Sequence, residues 1–133
     1  MQGASATAQI LEQFAGKPAR VLVVWEPVLP TDWSAPSTAA LNRIPDTRAV
    51  QFWDKDRLIS HSMGEHDRRS VVWDYIAVYP PGAEWTGEPP APLYSGRPVV
   101  KVKQPARDAL ARAFATGATE PSARPALASR TEP

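Results

Sequence analysis

The sequence predicts an α/β fold built on a mixed sheet of about four strands flanked by helices, and three observations predict it. The run Val21-Leu-Val-Val-Trp25 is apolar and rich in β-branched residues, and it leads directly into an acid, two prolines and a helix-like segment. Strand-like and helix-like stretches alternate over the next forty or so residues, the signature of strand–helix–strand units. A proline-rich turn then separates two further strand-like stretches, which reads as an antiparallel pair.

Taken in order, residues 1–7 are mostly small and polar and are expected to be flexible. Ala8 to Phe14 reads as a short helix, because Ile10, Leu11 and Phe14 recur at i, i+1 and i+4 on one face. Gly16-Lys17-Pro18 ends it. Arg20 to Trp25 is apolar after its first residue, as expected of a parallel strand covered on both faces.

Pro27 and Pro30 interrupt regular structure after that strand. Asp32 or Ser34 then caps a helix that runs to about Arg43 and stops before Pro45. A second strand spans Arg48 to Trp53, and a short helix spans Leu58 to Gly64. Val71 to Tyr79 reads as the third strand, on its β-branched and aromatic content. Pro80-Pro81-Gly82 turns the chain and opens a stiff loop around Trp85. Leu93–Tyr94 and Pro98–Lys103 are expected to pair back as an edge strand, where a proline is tolerated. Pro105 opens a last helix over roughly 105–115, with Leu110 and Phe114 on one face. The domain is therefore placed at residues 8–116. Residues 117–133, of Ala, Pro, Ser, Thr and Arg, read as a flexible or partner-bound tail.

Composition excludes several classes. At 133 residues and 43% hydrophobic, the chain suits one domain with one core, which five Trp are expected to anchor. Its 15 basic and 14 acidic residues are interspersed, giving a net charge of +1 and no basic stripe for nucleic acid. With no Cys there is no disulfide, thiolate nucleophile or zinc–thiolate site. No apolar run approaches the roughly 20 residues of a membrane span. The first eight residues show no basic and apolar regions of a signal peptide, so the compartment is left open. Nothing in the sequence calls for a cofactor.

Three Trp–acid pairs recur, at Trp25-Glu26, Trp53-Asp54 and Trp73-Asp74. The first two fall at the C-terminal ends of strands expected to be parallel, where open α/β sheets bind ligands. Glu26, Asp32, Asp54 and Asp74 are thus candidates to converge on one acidic pocket able to hold a hard cation or an amine. The local alternative has Asp32 capping a helix and Asp54 satisfying turn amides. His61, Glu65 and His66 are weak metal candidates whose spacing fits no tight motif. Trp85, held in a stiff loop, is a candidate anchor for a protein partner, as is the junction from Trp25 to Trp33.

The order of elements, the junction after Val21–Trp25 and the chain length resemble the thioredoxin-like superfamily over roughly residues 8–116. The stretches Trp25-Glu-Pro-Val-Leu-Pro-Thr-Asp32, Phe52-Trp-Asp54 and Trp73-Asp-Tyr75 are similar to a bacterial group of such domains that lacks Cys-x-x-Cys. The resemblance implies a three-layer sandwich. It also implies a redox site of two thiols facing a cis-proline, and both parts are missing. Glu26 follows Trp25, and Arg68-Arg-Ser-Val71 occupies the place of the proline. The expected function is a redox-inactive binding or assembly module. The alternatives are a metal-binding or hydrolytic protein using the carboxylates and an accessory subunit of a larger complex.

Overall fold

The computed structural model describes residues 2–67 and 69–117. Among the described residues the chain is mixed α/β, with four α-helices and two small sheets. The order is α1 (Gln2–Gln13), β1 (Val21–Trp25), α2 (Thr38–Leu41), β2 (Ala49–Trp53), α3 (Leu58–Ser62), β3 (Ile76–Val78), β4 (Tyr94–Gly96), a 3-10 turn (Val99–Lys101) and α4 (Lys103–Gly117).

In place of the expected single mixed sheet of about four strands, the described residues form two separate sheets of two strands each. β1 and β2 run parallel in the register Val21↔Ala49 to Trp25↔Trp53. β3 and β4 run antiparallel, with Val78 opposite Tyr94. The third strand is shorter than its composition implies. Asp74 takes a left-handed backbone (φ 48°), which breaks any strand begun at Val71. The anticipated edge strand is also cut short, because Val99–Lys101 coils into a 3-10 turn.

The core lies between α1, α4, the 3-10 turn and the β3–β4 pair. Ile10, fully buried, meets Ala6, Val99 and Ala106, with Phe14, Ile76, Tyr94 and Leu110 packed around them. Val78, Ala109 and Ala113 continue it along α4. Small alanines on both long helices allow this close approach, and Phe14 meets Phe114 with ring centroids 5.5 Å apart. The tryptophans do not anchor this core. Trp33, Trp73 and Trp85 are exposed, and Trp25 and Trp53 are only half-buried.

Helix α1 starts at Gln2, not near Ala8, and the buried Ala6 extends its core-facing stripe upstream. Asp74 packs its carboxylate against Gly3, so closely that a Cβ there would lie 1.6 Å from Asp74 Oδ1. The helix carries no acid in its own first turn, and Asp74 supplies one from outside. At the other end, Arg48 donates to the carbonyls of Phe14, Lys17 and Leu11 while its guanidinium grips Asp46. One side chain thereby caps α1 and fixes the start of β2.

Helix α2 is shorter than expected and begins later. Ser37, not Asp32 or Ser34, is its N-cap and accepts from the Ala40 amide.

Candidate functional site

The parallel pair delivers two Trp–acid dipeptides to one end of a sheet. Trp25 stands opposite Trp53, and the Asp54 amide donates to the Trp25 carbonyl at 2.9 Å. Glu26 and Asp54 therefore leave the strands side by side, close enough for each carboxyl group to perturb the other.

A polar hub forms beneath them. Arg57 sits in the left-handed region (φ 57°), a conformation that disfavours a side-chain-bearing residue. Four sets of contacts hold it there. Its Nε and Nη2 fork onto Glu65, Nη1 donates to the Pro27 carbonyl at 2.7 Å, Nη2 reaches Val72 O, and Nη1 lies 3.6 Å from Glu26. Glu65 also accepts from the Val72 amide at 2.8 Å. The buried Ser60 gives its amide and its hydroxyl to Glu26. The hub thus ties together the exit from β1, helix α3 and the 65–72 loop.

The three acids feel this hub differently. Desolvation raises Glu26, and the Ser60 hydrogen bonds and Arg57 offset it only in part. Burial also pushes Asp54 upward, but the amides of Ile59 and Leu58 and the contact with Glu26 outweigh it, leaving Asp54 below its ordinary value. Arg57 dominates Glu65, which falls to about 2.

The other predicted acids lie elsewhere. Asp32 closes its own turn, accepting from the amides of Val28 and Leu29 at 3.0 and 2.8 Å, and those two bonds lower its pKa. Asp74 stays at the start of α1. Of the four carboxylates only Glu26 and Asp54 meet. Glu65 is occupied by Arg57, His61 and His66 are exposed, and α3 ends at Ser62, before Glu65 could share its face. Among the described residues no three His, Cys, Asp or Glu are grouped to hold a metal ion. None of the candidate residues lines the open depressions of about 370 and 380 Å³, although Val72 of the hub borders the second.

Apolar exposure is the second feature of the region. β1 and β2 alternate between half-buried and exposed positions. On the inner face Gln51 accepts from Trp25 Nε1 at 2.9 Å and donates to the carbonyls of Leu41 and Ile44. On the outer face Leu22 pairs with Val50 and Val24 with Phe52, at 56%, 51%, 37% and 49% exposure. The strand expected to be covered on both faces is therefore bare on one. Val28, Leu29 and Trp33, which follow β1, and Leu58, which follows β2, are exposed too, Trp33 at 86%. Trp85 is partly exposed, and its indole donates to Gly87 O within its own loop.

Sequence reasoning missed Arg57, which carries the hub. Its only local trace is its place in a turn ahead of a short helix. No family model, curated protein or solved structure matches the chain.

No helix among the described residues is long and apolar enough to cross a membrane.

Proposed function

We propose that the chain is a redox-inactive thioredoxin-like domain that works as a protein-binding or assembly module. The uncovered apolar face of β1 and β2, together with the exposed Leu29, Trp33 and Leu58 in the segments that follow the strands, carries this reading. Parallel strands are ordinarily covered on both faces, and apolar surface of this extent marks an interaction site. The family reading draws support from a parallel β1–α2–β2 unit followed by an antiparallel β3–β4 pair and a closing helix. Recognition would rest on apolar contact around Trp33, with the neighbouring acids setting orientation. Immobilised chain should retain a partner from lysate of its source cell, and Trp33→Ala should reduce recovery about tenfold, as expected for an aromatic anchor. Equal recovery by both proteins defeats the proposal.

A second reading, a metal-binding or hydrolytic protein, draws on the meeting of Glu26 and Asp54, whose pKa values are displaced in opposite directions. Calorimetric titration with zinc and manganese tests its metal version. Absence of heat with either ion removes it.

A further inference from the structure

We infer that the outer face of the β1–β2 pair is the interface of a twofold-symmetric dimer, occupied by a second copy of this chain. The inference rests on the assembly reading and names its partner.

Size is the first argument. Leu22, Val24, Val50 and Phe52 form one continuous face, because their register sets them in two adjacent cross-strand pairs. The strands are parallel, so the segments that follow them leave from the same end of the sheet, and those segments carry Val28, Leu29, Trp33 and Leu58, which are exposed as well. Among the described residues, eight of the twelve large exposed hydrophobic side chains thus belong to these two strands and the segments they feed. To reach the roughly 800 Å² that one partner contributes to an interface of standard size, a mate laid on the strand face must also cover the exposed side chains of these segments.

Charge is the second argument. None of the eight side chains carries a charge, and the whole chain has a net charge of only +1, so two copies meet with little repulsion. The ends of the face differ in sign. Exposed Arg20 flanks its N-terminal end, while exposed Asp32 and Asp56 outnumber Lys55 at the other. A twofold axis lying in the plane of the interface and perpendicular to the strands makes the strands of the two copies antiparallel and sets Arg20 of each copy toward the acidic end of its mate. An interface of this kind is isologous, and an apolar patch fits itself without further design. Burial on the second copy would also give this parallel sheet the missing cover on its outer face.

Sedimentation equilibrium over a concentration series, up to about 100 µM to reach micromolar dimers, tests the inference. The wild type should reach twice the 14.5 kDa chain mass. Phe52→Glu should raise the dissociation constant by about tenfold or more, and Trp85→Ala should leave it unchanged. Circular dichroism checks that the Phe52 variant is folded. The milder pair Leu22→Gln with Val50→Thr replaces it if it is not. A wild type that stays monomeric overturns the inference, and so does a dimer indifferent to both sets of changes. If the chain is monomeric yet still retains a lysate partner in a Trp33-dependent way, only the choice of occupant fails. If it does neither, the assembly reading fails with it.

Discussion

Replacing Glu65 by Gln removes the charge that Arg57 grips while keeping the shape of the side chain. The Glu65 side chain is 8% exposed, so little solvent screening weakens the pair. Its pKa falls from 4.5 in the unfolded chain to about 2 in the folded one. A depressed acid contributes stability that is present above its unfolded pKa and lost as pH falls through its folded value. Linkage puts that contribution at about 3 kcal/mol at pH 7, about 2 at pH 3.5 and under about 1 at pH 2. Glu26 has the opposite sign. Its raised pKa favours the folded state in acid, so the wild type as a whole loses less than Glu65 alone would dictate. The difference between wild type and Glu65→Gln isolates the Glu65 contribution, because both proteins keep Glu26. Urea unfolding followed by tryptophan fluorescence at several pH values measures it, provided the denaturant slopes agree. The gap should be about 3 kcal/mol at neutral pH and close under about 1 kcal/mol by pH 2. A gap that stays constant with pH, or one under about 0.5 kcal/mol at pH 7, refutes the account of the hub.

Three further outcomes follow from the packing. Ile10→Ala opens a cavity at a fully buried position and should cost about 2–5 kcal/mol in urea unfolding. Arg48→Met uncaps α1 and leaves Asp46 without its guanidinium, and a loss of about 2 kcal/mol is expected, read as a drop in melting temperature by calorimetry. Ser37→Ala removes the side-chain cap of α2 and should cost about 1 kcal/mol, with hydrogen exchange accelerated at the Ala40 amide.

Much of the local structure was legible in the chain. Val21–Trp25 and Ala49–Trp53 stand within a residue of where β-branched and aromatic runs placed them, because such runs reflect a local fit to pleated backbone. The parallel delivery of Trp25-Glu26 and Trp53-Asp54 to one end was also foreseeable, since a helix-bearing crossover leaves few other arrangements. The outlying acids were harder to place. Asp32 answers to amides three and four residues before it, and the left-handed turn at Asp74 carries its carboxylate to the start of α1. Neither displacement leaves a mark in spacing.

By itself the sequence determined that no thiol chemistry is possible and that short parallel strands end in paired tryptophans and acids, for these follow from residue type and local periodicity. Tertiary structure alone decided that the four strands part into two pairs, that Arg57 binds segments from three parts of the chain, and that Leu22, Val24, Val50 and Phe52 face outward. The reason is physical. An apolar alternation says that a face can be buried, but whether anything covers it depends on where distant helices pack, and α1 and α4 pack on β3, β4 and each other.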